Sequence, residues 1–199
     1  QNISDNLKGI NWNTEYINSL LEVLEANLSF VPSSTSKKEV ADISLYDHLK
    51  LTAAFSSCIY GYLRENGITD YRTELLKNGV EFYNKKVFMI ASVDVSGIQN
   101  FIYTISTKNA LKTLRSRSFY LEIMMEHIID LLVQRLELSR ANLIYSGGGH
   151  CYMLLPDTDN AKNIFDKFMR EINEWYMEYF QISLYIAGGY VECSANELH

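Results

Sequence analysis

The chain has 199 residues, 47% of them hydrophobic and 13% aromatic, which supports a folded core and excludes a disordered composition. Its formal net charge of −6 argues against a protein that coats nucleic acid by general charge, and leaves a local basic site open. Three widely spaced cysteines form neither a disulfide framework nor a paired metal motif, which favours a reducing cytoplasm. No apolar run is long enough to span a membrane, and a start at Gln1 is typical of a segment of a longer protein.

The first 84 residues have the pattern of a small helical segment. Apolar spacing predicts helices over about 14–27, 45–65 and 71–78, the second of them ending near Asn66-Gly67. A polar stretch broken by proline, residues 31–38, separates the first two helices.

Asp47 and His48 form an acidic–histidine pair near the start of the second predicted helix. Such a pair binds metal in phosphohydrolases only when further ligands lie on nearby helices, and none is evident in the sequence. We therefore interpret Asp47 as a charge at the helix start and His48 as an ordinary helix residue.

A change of pattern occurs at Lys86. Residues 87–95 are almost entirely apolar, as expected of a strand buried on both faces. Ser96 and Gln99 then form a Ser-x-x-Gln capping box, which predicts a helix starting at Ser96. Ser96 is either a simple cap or part of a helix N-terminus that binds phosphate through free N–H groups, and the sequence does not decide between the two.

Two longer amphipathic helices are expected further along, each with one apolar stripe. The first covers about 110–138, with Leu114, Leu121, Met125, Ile128, Leu132 and Leu136 on its stripe. The second is capped by Thr158 or Asp159, with Ala161, Ile164, Phe168, Ile172, Trp175 and Tyr179 on its stripe. A last strand follows over 183–191, where Gly188-Gly189 suggests a bulge or a close backbone crossing.

Between these helices lies a glycine-rich hairpin. Strand-forming residues 143–145 and 151–155 flank Ser-Gly-Gly-Gly-His at 146–150. The glycines supply the positive φ of a tight turn, and the flanks are apolar enough for the middle of a sheet. On the hairpin alone a plain turn explains the glycines, while a bare tip would also let a ligand approach backbone N–H groups.

The element order from Lys86 is β-α-α-β-β-α-β. With the two successive helices taken together, this order predicts an α+β, ferredoxin-like βααββαβ domain of the palm type, preceded by the helical segment. We place the boundary between residues 1–84 and 85–199. Because this fold has many functions, the function must be argued from its site.

In this topology the end of the first strand lies beside the hairpin, so Asp94 is expected near Gly147 to His150. Palm polymerases and nucleotide cyclases need carboxylates on both elements to hold two metal ions. Here the hairpin offers glycines and His150 instead, so we expect no catalytic residues and no metal site in this chain. The candidate nucleotide-binding residues are Asp94, Ser96, Gly97, Gly147, Gly148, Gly149 and His150.

A basic cluster precedes and enters the long helix, and is a candidate for contact with RNA or nucleotide phosphates. Its members are Lys108, Lys112, Arg115 and Arg117. A solvated helix face is the alternative. Arg115 and Arg117 are two residues apart and do not share a face, so at least one of them is expected to make an internal contact.

Four segments occur in an order that resembles the large subunit of type III-A CRISPR–Cas effector complexes. They are residues 42–48, 94–103, 114–121 and 146–150. Each is weak alone, but the series is specific, and the resemblance extends from about Val31 to the end. It implies that the chain is the family's first palm domain with the helices leading into it, and that the residues before Val31 are the tail of a linker after an N-terminal domain.

The resemblance implies a larger protein. The family's complete chain has an HD nuclease that cuts single-stranded DNA, two palms, a zinc-binding segment and a C-terminal helical domain. Its second palm has a Gly-Gly-Asp-Asp hairpin and joins ATP, with Mg²⁺ or Mn²⁺, into cyclic oligoadenylates when target RNA is bound. This sequence lacks the HD metal set, the two aspartates and the zinc cysteines, so we expect it to be inactive alone and to fold without a cofactor.

The resemblance also implies partners: the second palm, other type III-A subunits, guide and target RNA, and single-stranded DNA, but no membrane. In this interpretation the first palm faces the second palm and forms part of the ATP site. A purely structural domain without nucleotide contact is the main alternative. A separate diguanylate-cyclase-like enzyme is disfavoured because the hairpin lacks carboxylates.

Overall fold

The computed structural model describes residues 14–36, 38, 42–103 and 110–198. Before the sheet begins, its elements are helical: α1 (Thr14–Leu28), α2 (Leu45–Glu65), a π-helical turn (Thr73–Lys77) and α3 (Gly79–Asn84). The ferredoxin-like part then follows in the expected order: β1 (Lys86–Ser96), α4 (Ile98–Tyr103), α5 (Ala110–Arg135), a 3₁₀ turn (Arg140–Asn142), β2 (Leu143–Gly147), β3 (His150–Pro156), α6 (Asp159–Phe180) and β4 (Tyr185–Ser194).

The four strands form one antiparallel sheet in the order β2-β3-β1-β4. This order is that of the ferredoxin-like fold, and it confirms the predicted α+β class. The hairpin was predicted in the middle of the sheet, which is only half right: β3 is an inner strand and β2 is an edge. Pairing of Asp94 with His150 places the end of β1 beside the hairpin turn, as expected.

The main core lies between one face of the sheet and helices α5 and α6. Alternate residues of β1, from Met89 to Val95, are buried on this face, because successive side chains of a strand point to opposite sides. The predicted stripe of α5 is buried from Leu121 to Leu136, while Leu114 is only half-buried.

A second, smaller core lies between the opposite sheet face and α2. It joins Ala54, Cys58 and Leu63 of α2 to Phe88 and Leu154 of the sheet. Helix α2 begins as predicted, with the Ser44 hydroxyl accepting a hydrogen bond from the Asp47 N–H at 3.0 Å. The carboxylate of Asp47 accepts from the same hydroxyl at 2.7 Å, which confirms its role at the helix start.

The prediction that a helix starts at Ser96 is wrong. Ser96 is the last residue of β1 and pairs with Tyr185, and Gly97 follows with φ +91°. Helix α4 begins at Ile98, and the Gly97 carbonyl accepts the first helical hydrogen bond from Phe101 N–H at 3.0 Å. The capping-box pattern therefore places the helix start too early in the sequence, because β1 continues through Ser96.

The glycine pair of β4 forms no bulge. Gly188 and Gly189 pair in continuous register with β1, and the only irregularity between these two strands lies at Lys86/Phe88. A close approach does exist at Gly188, where a β-carbon would lie 2.5 Å from Met169 Cε. Helix side chains, rather than a crossing backbone, occupy that space.

Two helices differ from their predicted patterns. The buried face of α6 is formed by Ala161, Phe165, Phe168, Met169 and Tyr176, while the predicted Trp175 and Tyr179 are exposed. The segment 71–78 is largely a π-helical turn rather than a regular short helix. Within the residues that the structure describes, no helix is long and apolar enough to cross a membrane.

Candidate functional site

The sequence-predicted site residues meet at one end of the sheet. His150 Nδ1 lies 3.4 Å from Asp94 Oδ1, across the β1–β3 pair. The Ser96 hydroxyl lies 3.4 Å from the other oxygen of Asp94. The Asp94 and His150 side chains are 48% and 30% exposed, so solvent or a ligand can reach the pair.

Close packing within this chain explains why two of these positions are occupied by glycine. A β-carbon on Gly97 would lie 2.1 Å from the backbone oxygen of Ser183, and on Gly149 it would lie 2.3 Å from Ile98 Cδ1. Gly149 also accepts a hydrogen bond from Val95 N–H at 2.8 Å. These contacts fix the hairpin against β1 and α4, so neither glycine requires a ligand to explain it.

Gly148 is different, because it faces open space. Gly148 and Gly149 form the two-residue turn with φ of +63° and +86°. A β-carbon on Gly148 would meet no atom within 4 Å. Gly148 is thus an exposed position at the tip with free space around it, and only its positive φ disfavours a side chain there.

A cleft of about 360 Å³ lies between the hairpin and helices α4 and α5. Its apolar wall includes Ile98, Ile102, Leu121 and Met125. Its polar lining consists of Ser118, Glu122, Glu126, Ser146 and the three hairpin glycines. An apolar wall with a few polar groups suits a planar, partly polar ligand such as a nucleobase.

Glu126 connects the hairpin to the helix behind it. The Ser146 hydroxyl donates to Glu126 Oε1 at 3.1 Å, and Arg140 Nη1 donates to Glu126 Oε2 at 2.6 Å. Arg140 Nε also donates to Asp130 Oδ1 at 2.7 Å. The hydrogen bond to Asp130, followed by that to Glu126, raises the pKa of Arg140 above its ordinary value.

Exposed aromatic rings lie on the sheet face that carries Asp94 and His150. Tyr145 and Tyr152 are cross-strand partners, 54% and 43% exposed. The rings of His150 and Tyr152 meet edge to face with centroids 4.5 Å apart. Such rings are suited to stacking with bases or to packing against another protein surface.

The available ligands do not fit a two-metal centre. In the part of the chain that the structure describes, no three His, Cys, Asp or Glu side chains lie close enough together to hold a metal ion. Asp94 is the carboxylate at the strand end, and its hairpin neighbour is an imidazole. Metal-dependent chemistry cannot be derived from these residues.

The basic cluster is divided in the structure. Arg117 Nη1 donates to the Phe101 carbonyl, and its guanidinium lies 5.2 Å from the Phe101 ring centroid. This confirms the expected internal contact. Lys112 and Arg115 are exposed on α5, while Lys108 lies outside the described residues.

The fold and the glycine hairpin at the sheet end define a ferredoxin-like domain of the palm type. A family model described as Csm1 subunit domain B matches residues 87–199. A relative from Mycobacterium tuberculosis, the CRISPR system single-strand-specific deoxyribonuclease Cas10/Csm1 of subtype III-A, is 55% identical over 92% of this chain and 23% of its own length. A relative of the same name from Enterococcus italicus is 49% identical over 90% of this chain and 24% of its own length. The chain therefore belongs to the Csm1 family, and it spans about a quarter of the length of these relatives.

Solved structures agree with this assignment. The Csm1–Csm4 cassette in complex with pppApA matches with TM-score 0.76 and 35% identity, over 90% of this chain and 24% of that one. The same cassette in complex with one ATP matches with TM-score 0.73 and 34% identity, over 90% of this chain and 23% of that one.

Sequence reasoning missed the residues that brace the hairpin. Glu126 lies on a helix and Arg140 in a turn, and only tertiary packing brings Glu126 to Ser146 and Arg140 to Glu126. Tyr145 and Tyr152 could have been found, because exposed aromatics at alternate strand positions on either side of a turn indicate a shared face.

Proposed function

We propose that this chain is the non-catalytic first palm of a type III-A CRISPR large subunit and forms part of its ATP site. In this proposal residues 85–199 are the palm and residues 1–84 lead into it from an N-terminal domain. The complete subunit synthesises cyclic oligoadenylates from ATP when target RNA binds, and its HD domain cleaves single-stranded DNA. It acts in the cytoplasm with other effector subunits, guide RNA and target RNA.

The observation that carries the proposal is the bare tip of the hairpin. Gly148 leaves open space beside the cleft on the α5 side of the sheet, and the Asp94–His150 pair lies at the same end of the sheet on its opposite face. Csm1–Csm4 cassettes whose Csm1 has the same fold have been solved in complex with ATP, AMPPNP and cA4, which supports a nucleotide as the occupant. We assign the nucleotide to the surface formed by Asp94, Ser96, Gly97 and Gly147 to His150, with metal ions supplied by the second palm.

The exposed basic residues complete the proposal. Lys112 and Arg115 are exposed, whereas Arg117 contacts Phe101. We assign Lys112 and Arg115, with Lys108 before them, to phosphate or RNA contact. Arg117 belongs to the same cluster, but its contact with Phe101 provides a structural reason for it.

The alternative, a structural domain without nucleotide contact, is favoured by one observation. Close packing against Ser183 and Ile98 already explains Gly97 and Gly149. The test must therefore rest on Gly148, for which the chain itself provides no steric reason.

The test adds a side chain to Gly148 in the full-length protein. Gly148→Asn is the main variant, because asparagine tolerates positive φ better than other residues with side chains. Gly67→Asn is the matched control: Gly67 has φ +65° and open space, and follows the end of α2. We expect Gly148→Asn to lower ATP affinity by about tenfold or more, equivalent to about 1.4 kcal/mol, while it lowers the melting temperature no more than Gly67→Asn does.

Gly148→Val provides the comparison in which strain is added. Valine at positive φ is disfavoured, so this variant also lowers the melting temperature. Full-strength ATP binding by a normally melting Gly148→Asn protein would support the structural alternative instead. Loss of affinity in the Gly67→Asn control would show that the effect is not specific to the tip.

A further inference from the structure

We infer that Glu126 is a positioning residue that sets the place of the glycine hairpin relative to α5, and so the width of the nucleotide cleft. This inference rests on the proposed function for the identity of the ligand. Its physical basis is independent of that proposal: Glu126 is the acceptor that links the hairpin to the rigid helix behind it.

The two carboxylate oxygens of Glu126 accept hydrogen bonds from residues at the two ends of β2. Oε1 accepts from Ser146, one residue before the first hairpin glycine, at 3.1 Å. Oε2 accepts from Arg140, in the 3₁₀ turn that leads into β2, at 2.6 Å. A single carboxylate thus fixes both the entry and the tip end of the edge strand β2 to α5.

Strand β2 needs such a brace because it is an edge strand. Its pairing with β3 shifts register between Leu143 and Tyr145, so the ladder alone does not hold β2 along its whole length. On its other side β2 has no strand neighbour within the sheet. The side-chain contact from Ser146 to α5 therefore contributes to the orientation of the glycines that follow.

Arg140 holds the carboxylate in place. It also bonds Asp130 at 2.7 Å, one helical turn after Glu126, so the guanidinium lies across two acidic residues of α5. The backbone N–H of Arg140 lies 3.3 Å from Asn18 Oδ1 of α1. The Glu126 and Arg140 side chains are 40% and 28% exposed, so loss of this pair is expected to leave the fold intact.

Charge and positioning predict opposite effects on ATP binding. Removing a carboxylate beside a site for an anionic triphosphate should tighten binding if charge alone matters. If Glu126 acts by holding Ser146, its removal should weaken ATP binding. The free hairpin would then be less ordered, and part of the binding free energy would be spent on ordering it. Glu122 provides the matched control, since it lines the same cleft one turn earlier on α5.

The experiment measures affinity for a non-hydrolysable ATP analogue, together with melting temperature, in the full-length protein. We expect Glu126→Ala and Ser146→Ala each to lower affinity by about five- to tenfold, the range of one lost hydrogen bond, with melting temperature nearly unchanged. The two substitutions remove the same hydrogen bond. The double variant should therefore bind the ATP analogue as well as whichever single variant has the lower affinity. Glu126→Gln, which keeps an acceptor oxygen for Ser146, should recover part of the lost affinity.

Several results would overturn the inference. They are unchanged or tighter binding by Glu126→Ala, additive losses in the double variant, or the same loss in Glu122→Ala. Should Glu126→Ala not fold, Ser146→Ala alone decides, because it removes only the hydroxyl. Failure of the wild-type protein to bind the analogue would refute the proposed function, whereas binding that is insensitive to Ser146 would refute only the role of Glu126.

Discussion

Glycines that share a positive φ have different surroundings in this chain. Gly67, Gly97 and Gly148 all have φ between +63° and +91°. Gly97 is closely surrounded by backbone, while the other two face open space. Positive φ alone therefore does not distinguish a structural glycine from one that leaves room for a ligand.

Gly97→Ala should be the most destabilising of the glycine-to-alanine changes at these three positions. Its β-carbon would lie 2.1 Å from the Ser183 oxygen, so the cost of positive φ is joined by a backbone clash. We expect a loss of about 2 to 4 kcal/mol in the free energy of unfolding. Gly67→Ala, with strain but no clash, should lose only about 1 kcal/mol. Urea unfolding of the 199-residue chain measures both, and equal losses would contradict the steric argument.

A single carboxylate near the end of the chain gives a pH-dependent contribution to stability. Its hydrogen bonds with Lys86, and then with Ser194 N–H and hydroxyl, lower the pKa of Glu197 to about 2. A depressed folded-state pKa contributes stability that is present above the unfolded value of 4.5 and is lost as the pH falls towards 2.

Glu197→Gln should therefore lower the melting temperature slightly near neutral pH, and this difference from wild type should vanish between pH 4.5 and 2. The effect should be small and weaken in high salt, because Glu197 and Lys86 are both exposed. Melting curves at a series of pH values measure the difference. A gap between the two proteins that widens on acidification would show that the sign is wrong.

At the scale of elements, the sequence was sufficient where one local pattern dominates. Local composition predicts the apolar run of β1 and the glycine turn, and helical spacing predicts the stripe of α5 from Leu121 onward. Ser96 was misread because its capping pattern competes with strand pairing to Tyr185, which is not local in sequence. The position of β2 at an edge, and the brace from Glu126, likewise depend on how distant segments pack.

One buried side chain joins helix α2 to the hairpin. Asn142 is 1% exposed, and its Nδ2 donates to the Leu154 carbonyl at 2.9 Å and to the Ser57 hydroxyl at 3.0 Å. It thus links β3, the turn before β2 and α2 at the small core. A polar residue among apolar neighbours is tolerated here because it is hydrogen-bonded.

Asn142→Ala should destabilise the 199-residue chain by about 2 to 3 kcal/mol, because it removes the buried hydrogen bonds to Leu154 and Ser57 and leaves a space where the amide was. Asn27→Ala is the control: Asn27 is exposed and bonds only its own helix, to Val23, so its loss should be about 0.5 kcal/mol or less. Chemical unfolding of both variants checks the difference. Similar values for the two would mean that Asn142 does not hold the elements together.

At the scale of the whole molecule, we expect no catalytic set in this chain, because the residues that the structure describes bring no three metal-ligating side chains together. One palm brings Asp94 and His150 to the sheet end, whereas two-metal nucleotidyl transfer needs carboxylates on both the strand and the hairpin. The exposed tyrosines on that sheet face and the bare tip give it a surface suited to a partner and a nucleotide. Under the proposed function, chemistry requires a second palm to complete the site.

We expect the isolated 199-residue chain to make no oligoadenylate from ATP and to cut no single-stranded DNA, with either Mg²⁺ or Mn²⁺ present. The reason is the donor set: no three His, Cys, Asp or Glu side chains meet among the residues that the structure describes, and a two-metal mechanism needs more than Asp94 and His150. Labelled ATP and a labelled oligonucleotide serve as substrates, with the full-length protein and target RNA as the positive control. A fold check by circular dichroism ensures that inactivity is not caused by unfolding. Metal-dependent turnover of ATP by the folded chain, abolished by Asp94→Asn, would show instead that this palm is catalytic by itself.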